Sequence, residues 1–102
     1  MFKLVLEKEN FKRYDGYGYK IQQRFYDEED YSITISKEFG EEYKYLPSIY
    51  SKTDGEEKII DFEIETSSYG SLSSEEIERV ISGYKIALDV VKELKEMFID
   101  NR

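Results

Sequence analysis

The stretch LSSEEI, residues 72–77, carries the strongest structural signal in this chain. Ser73 is placed to cap a helix by accepting a hydrogen bond from the backbone amide of Glu76, while the Glu76 carboxylate can accept one from the backbone amide of Ser73. Leu72 and Ile77 flank this capping box as a hydrophobic staple. A helix is therefore predicted to begin at this point.

Apolar residues recur at helical spacing from this start to the end of the chain, so the predicted helix covers residues 72–100. The stripe consists of Ile77, Val80, Ile81, Tyr84, Ala87, Leu88, Val91, Leu94 and Phe98. A helix of about 25 residues is roughly 38 Å long, whereas a strand of about nine residues spans roughly 30 Å. The helix should therefore overhang any sheet that it covers.

Two further features of the helix predict a close approach or a second packed surface. Gly83 lies in mid-helix, where glycine costs about 1 kcal/mol relative to alanine. A second apolar line, formed by Ile86, Val90 and Met97, lies beside the main stripe. These three residues are the candidate contacts of a homodimer or larger homo-oligomer. The alternative is that the apolar residues of the helix form only one wide core face against the sheet.

The first 70 residues alternate apolar and polar side chains in several runs, which predicts strands joined by hairpins. Strands are expected around residues 2–7, 17–26, 31–36 and 58–66, with residues 41–52 as an edge strand or an ordered loop around Pro47. Residues 8–16 are expected to form a wide connection. The predicted fold is a single α+β domain over residues 1–102, with a mainly antiparallel sheet of four or five strands packed on one face by the long C-terminal helix.

The predicted core combines the inward side of these strands with the helix stripe. It comprises Leu4, Leu6, Ile21, Ile33, Ile35, Ile60, Phe62, Ile64, Ile77, Val80, Ile81, Tyr84, Leu88 and Val91. On this assignment Leu88→Ala should destabilise the fold by about 2 to 5 kcal/mol, the usual range for emptying a buried leucine site.

The composition excludes most kinds of catalytic and metal-binding chemistry. The chain has no cysteine and no histidine, so it lacks thiolate nucleophiles, cysteine or histidine metal ligands, and the commonest general base. The contiguous acids of Asp27–Asp30 do not have the alternate spacing and glycine of a calcium loop. We expect no enzymatic activity, no metal and no cofactor.

Acidic residues are concentrated in the middle of the chain and form two candidate binding elements. Asp27, Glu28, Glu29 and Asp30 lie between two predicted strands, as a hairpin tip with Tyr26 and Tyr31 as a cross-strand pair at its base. Asp61, Glu63 and Glu65 share one face of a later strand, about 7 Å apart. The alternative interpretation is that these acids only keep a small protein soluble.

The net charge of −8 bears on the partner and on the location. Residues 27–65 hold thirteen acidic and four basic side chains, a field that repels nucleic acid and anionic lipid and attracts basic protein surfaces. The apolar runs are too short for a signal peptide or a membrane span. The expected partner is a basic protein rather than nucleic acid or a membrane, and the expected location is the cytoplasm.

The run of residues 67–91 resembles short uncharacterised proteins of phages and prophages of Gram-positive bacteria. The features that carry the resemblance are Ser68-Tyr69-Gly70, Leu72-Ser73 and Gly83-Tyr84-Lys85. It implies a small acidic protein that acts inside the host bacterium against host machinery, a class that includes anti-CRISPR inhibitors, some of which occupy sites meant for nucleic acid. No functional residue is carried over from it.

Two functional hypotheses follow. The first is a non-catalytic inhibitor or adaptor that binds and blocks a basic, nucleic-acid-binding host protein, such as a defence effector, through Tyr26, Tyr31 and the two acidic elements. The alternative is a structural homo-oligomer or adaptor assembled through the C-terminal helix, with acids that serve solubility alone.

Overall fold

The computed structural model of the protein describes residues 1–100. Its longest element is helix α1, Ser74–Phe98, which begins as predicted: the Ser73 side chain accepts from the backbone amide of Glu76, and the Glu76 carboxylate accepts from the backbone amide of Ser73. The helix ends with Ile99 as its C-cap. It is therefore slightly shorter at both ends than the predicted 72–100.

A four-stranded antiparallel sheet precedes the helix, with its strands in the order of the sequence. The strands are β1 (Lys3–Lys8), β2 (Phe11–Gly16), β3 (Tyr19–Phe25) and β4 (Tyr31–Lys37). Strand β2 was not predicted, because half of its residues are charged and they do not alternate with apolar ones. The connection expected over residues 8–16 is thus a strand with a tight turn on each side.

The turn between β2 and β3 depends on two residues with positive φ. Tyr17 has a φ of 58° and Gly18 a φ of 88°, the pair of left-handed conformations of a two-residue type I′ turn. A side chain at position 18 would also overlap the ring of Tyr43 and the side chain of Leu46. The glycine is therefore required both for the turn and for the close packing of the following loop.

A separate two-stranded sheet lies between the main sheet and the helix in the sequence. It consists of β5 (Ile49–Thr53) and β6 (Ile59–Ile64), which pair antiparallel. A short 3-10 helix, Glu41–Tyr43, precedes it, so the region 41–52 contains both an ordered loop and a strand. The α+β prediction is confirmed: four strands form the main sheet, two form the separate hairpin, and the C-terminal helix packs on the strands.

A single cluster of buried residues joins the two sheets and the helix. It contains Phe2, Tyr19, Ile21, Ile33, Leu46, Ile49, Ile59, Phe62, Ala87, Val90, Leu94 and Phe98. The prediction was right for Ile21, Ile33 and Phe62, which are buried, while Ile35, Ile64 and Val91 are partly buried against the cluster. Val80 and Tyr84 are also partly buried.

The prediction of which face of α1 is buried is wrong, because the buried face is rotated about the helix axis by part of a turn from the predicted one. The residues that α1 buries are Gly83, Ala87, Val90, Leu94 and Phe98. Ile77, Ile81 and Leu88, all assigned to the core, are 44%, 50% and 62% exposed. Val90, proposed as an oligomer contact, is instead fully buried within the chain, and Met97 is partly buried against the core, so of that line only Ile86 is exposed.

Three residues of the strands were also wrongly assigned to the core, two because they lie on an edge strand and one because it lies at a bulge. Leu4 and Leu6 belong to β1, the outer strand of the main sheet, where every residue is exposed. In β6 the register shifts between Ile59 and Asp61, so that Ile59 is buried and Ile60 is 46% exposed. Such a bulge places two residues opposite one and changes which side chain faces inward.

Candidate acidic binding surface

The first acidic hairpin tip, between β3 and β4, is organised by Asp27. Its Oδ1 atom accepts hydrogen bonds from the backbone amides of Glu29 and Asp30, at 2.8 and 2.7 Å. The backbone amide of Tyr26 donates to the carbonyl oxygen of Asp30 at 2.8 Å, which closes the tip. Asp27 therefore shapes the loop, and it leaves Glu28, Glu29 and Asp30 on its exposed surface.

The pKa values of Asp27 and Asp30 are shifted in opposite directions. The backbone amides of Asp30 and Glu29 lower the pKa of Asp27, because they stabilise its charged form. A side-chain hydrogen bond with Asp27, together with its negative charge, raises the pKa of Asp30. A cation near Asp30 would offset the repulsion from Asp27 and lower the pKa of Asp30.

The second acidic tip joins β5 to β6 and is built in the same way. The Asp54 Oδ1 atom accepts from the backbone amides of Glu56 and Lys58, at 2.8 and 3.0 Å. Glu57 adopts a left-handed φ of 62° within this turn. Asp54 holds the loop, and Glu56 and Glu57 are exposed on it.

The two tips face a common cleft of about 810 Å³, here called the tip cleft. Its lining residues are Tyr26, Glu29, Asp30, Tyr31, Glu56, Glu57, Lys58 and Ile59. Lys58 lies close enough to Asp30 to lower its pKa in part. Four carboxylates from two distant parts of the sequence therefore surround one cleft that holds a single lysine.

The two tyrosines of the predicted pair have different surroundings. Tyr31 lies opposite Phe25 in the sheet, with ring centroids 5.5 Å apart, and its ring also contacts Phe98 at 6.0 Å. Tyr26 lies just beyond the last pair of the ladder and is 71% exposed. The predicted pairing of Tyr26 with Tyr31 is wrong, and Tyr26 is instead an exposed aromatic ring at the cleft.

The acidic row on β6 does not line the tip cleft. Asp61 forms an ion pair with Lys95 of the helix, with Oδ1 and Nζ 3.1 Å apart, and its Oδ1 accepts from the amide of Phe62 at 2.8 Å. Those two contacts lower its pKa, with the Phe62 amide as the larger cause. Glu63 and Glu65 are exposed. Asp61 therefore ties the strand to the helix, whereas Glu63 and Glu65 form no ion pair within residues 1–100.

The outer face of the main sheet carries basic side chains together with acids that pair with them. Tyr19, Ile21 and Gln23 of β3 are buried, so Lys20 and Arg24 between them face outward. Arg13 lies opposite Gln22 in the neighbouring strand and shares this face, where its guanidinium donates two hydrogen bonds of 2.9 Å to Asp15. Lys20 forms an ion pair with Glu38, with Nζ and Oε2 3.8 Å apart. This face is therefore of mixed charge, unlike the acidic hairpin tips.

A second cleft, of about 430 Å³, lies between the loop before β5 and the first half of α1. Tyr45 organises it: its hydroxyl donates to Glu76 at 2.6 Å, and the Arg79 guanidinium lies 4.9 Å from its ring centroid. Arg79 also donates to the carbonyl oxygen of Glu41 at 2.9 Å. These contacts fasten the helix start to the loop, a structural role that no local sequence pattern predicts.

Within residues 1–100, no group of three or more acidic side chains is arranged to hold a metal ion. No helix in this range is long and apolar enough to cross a membrane.

Comparisons with protein-family models, with curated proteins and with solved structures found no match. The tip cleft and the distribution of charge are therefore the features that bear on function.

Proposed function

We propose that this chain is a non-catalytic inhibitor or adaptor that binds a basic protein surface at the tip cleft. The observation that supports this most strongly is the convergence of Glu29 and Asp30 with Glu56 and Glu57 around one concave surface. Acids that served solubility alone would need no such convergence, since dispersed charges keep a protein soluble equally well.

The cleft offers the contacts that a lysine or arginine side chain needs. Carboxylates on two sides can accept charge-assisted hydrogen bonds, and a guanidinium can bind a carboxylate through two parallel bonds. Tyr26 provides an exposed ring over which a cation can lie. The raised pKa of Asp30 would fall when a cation enters, because the positive charge offsets the repulsion from Asp27.

Surfaces rich in lysine and arginine are typical of proteins that bind nucleic acid, because they neutralise phosphates. The proposed mode of action is therefore competition: this chain occupies a basic site and keeps nucleic acid from it. The resemblance of residues 67–91 to phage and prophage proteins supports a bacterial defence effector, of the kind that anti-CRISPR proteins block, as the class of partner.

The test compares two variants with the same change of charge at different places. Glu29→Lys with Glu56→Lys reverses two acids of the tip cleft. The β6 variant, Glu63→Lys with Glu65→Lys, reverses two exposed acids outside the cleft, one in β6 and one directly after it. Each pair is used in a pull-down from bacterial lysate at about 0.15 M salt, where charges more than roughly 8 Å apart are largely screened.

We expect the wild type and the β6 variant to capture the same basic protein, and the cleft variant to lose it. Added nucleic acid should compete for that protein, and binding should weaken steeply with salt. Loss of capture with the β6 variant alone would move the binding surface to Glu63 and Glu65. Capture of the same proteins by both variants would contradict binding through either acidic surface.

A further inference from the structure

The first half of α1 carries a line of apolar side chains that the fold leaves uncovered. Ile77, Ile81 and Leu88 are 44%, 50% and 62% exposed, and the partly buried Tyr84 lies among them. Single exposed apolar residues are ordinary on protein surfaces. These four, however, are spaced by four, three and four residues, which is the spacing of the a and d positions of a coiled coil.

The charged residues beside this line are complementary in one arrangement of two helices. Glu78 and Lys85 are seven residues apart and follow Ile77 and Tyr84, so they occupy the same edge of the line. Neither side chain forms an ion pair within residues 1–100. The other edge consists of Val80, Ala87 and Leu94, which turn toward the core.

We infer that this line binds a second copy of the chain, with the two α1 helices antiparallel about a two-fold axis. An axis between Ile81 and Tyr84 sets Ile77 opposite Leu88 of the partner subunit, and Ile81 opposite Tyr84 of the partner subunit. In antiparallel pairs, charged residues on the same edge of the two helices meet. Glu78 then lies beside Lys85 of the partner subunit, and the symmetry repeats this contact.

The charge pattern selects this arrangement over a parallel one. In a parallel pair the edge that carries Glu78 and Lys85 would face the opposite edge of the partner helix. That edge is apolar and mostly buried in the chain's own core, so neither Glu78 nor Lys85 would face an oppositely charged residue of the partner subunit. Only the antiparallel pair both places opposite charges side by side and covers Ile77, Ile81 and Leu88.

This dimer differs from the one that the sequence suggested and is independent of the tip cleft. The sequence pointed to Ile86, Val90 and Met97, but Val90 is fully buried. The tip cleft lies near the other end of the helix, where Tyr31 contacts Phe98, about 15 Å along the axis from Leu88. A dimer formed through residues 77–88 of α1 would therefore leave the tip cleft uncovered, whereas the partner subunit would border the second cleft, which Glu78 also lines.

Sedimentation equilibrium of the full chain over a wide range of concentration tests the inference. We expect a reversible dimer in the wild type and a monomer when Ile81→Glu and Leu88→Glu are combined. The control is Ile86→Glu, which adds one negative charge at a residue of α1 that is 37% exposed but lies off the line, and which should leave the dimer intact. Far-UV circular dichroism confirms that each variant folds.

A charge exchange tests the orientation. Glu78→Lys or Lys85→Glu alone should each weaken the dimer on the order of tenfold, because two attractive contacts become repulsive. The two substitutions combined should restore the wild-type affinity. A wild type that stays monomeric at all concentrations, or a dimer that survives the substitution of Ile81 and Leu88, would overturn the interface. Failure of the double exchange to restore affinity would overturn the antiparallel pairing.

Discussion

Gly83 of α1 lies directly against the backbone carbonyl of Tyr45. A Cβ atom built at position 83 would overlap the Tyr45 carbonyl oxygen and come within 3.1 Å of the carbonyl carbon. Because the obstacle is backbone rather than a flexible side chain, it cannot rotate away. The glycine therefore sets how closely the helix approaches the loop before β5.

Gly83→Ala should destabilise the protein even though alanine is the better helix former. Helix propensity favours alanine by about 1 kcal/mol. Separating the helix from the loop should outweigh that gain, for a net loss of about 1 to 3 kcal/mol, the usual cost of overpacking. Urea unfolding measures the difference. Ser82→Ala, at the exposed neighbour, is the control and should leave stability nearly unchanged or slightly raised.

Leu94→Ala and Leu88→Ala should differ sharply in their effect on stability. Leu94 is fully buried and Leu88 is 62% exposed. Emptying the Leu94 site should cost about 2 to 5 kcal/mol, whereas the change at Leu88 should stay within about 0.5 kcal/mol. The comparison uses urea unfolding at a protein concentration low enough to keep the chain monomeric. Equal losses in the two variants would show that the buried face of α1 is assigned incorrectly.

The sequence predicted the elements of this fold better than their buried faces, and the helix shows why. The capping box depends on residues three positions apart and could be recognised locally, as Ser73 and Glu76 confirm. The apolar residues of α1 surround more than half of its circumference, so their periodicity alone could not show which of them the sheet would cover. The decisive contact, between Gly83 and Tyr45, joins distant parts of the chain.

The candidate site was predictable only in its parts. The acids of residues 27–30 were expected at a hairpin tip, and they are there. That Glu56 and Glu57 lie across the same cleft depends on how the separate β5–β6 hairpin packs beside β4, which no local pattern encodes. The ion pair between Asp61 and Lys95 depends likewise on the position of the helix against β6.

Tyr19 should make the protein sensitive to alkali. Its side chain is fully buried, and its hydroxyl donates to the carbonyl oxygen of Pro47 at 2.5 Å. Burial raises the pKa of Tyr19 above its ordinary value, so the unfolded chain releases the proton first. Stability should therefore fall as the pH rises above about 10, the pKa of an unfolded tyrosine.

The measurement for Tyr19 is the free energy of unfolding as a function of pH, for the wild type and Tyr19→Phe. The variant should be less stable at neutral pH by about 1 to 3 kcal/mol, because the carbonyl oxygen of Pro47 loses its partner. Its stability should also fall less steeply above pH 10. Parallel curves for the two proteins would show that Tyr19 is not the group responsible.

The two coupled acids of the first hairpin tip give the last prediction. Asp27→Asn should lower the pKa of Asp30, because the variant weakens the side-chain hydrogen bond that stabilises protonated Asp30 and removes the negative charge that repels its ionised form. The asparagine side-chain oxygen can still accept from the amides of Glu29 and Asp30, so the tip should keep its shape.

Carbon-detected NMR titration of the side-chain carboxyl groups reports each pKa separately. Glu63→Gln, which removes one charge outside the tip, is the control and should leave Asp30 nearly unchanged. A pKa of Asp30 that does not move in Asp27→Asn would show that the two carboxyl groups do not interact, and would remove the reason to expect Asp30 to respond when a cation enters the tip cleft.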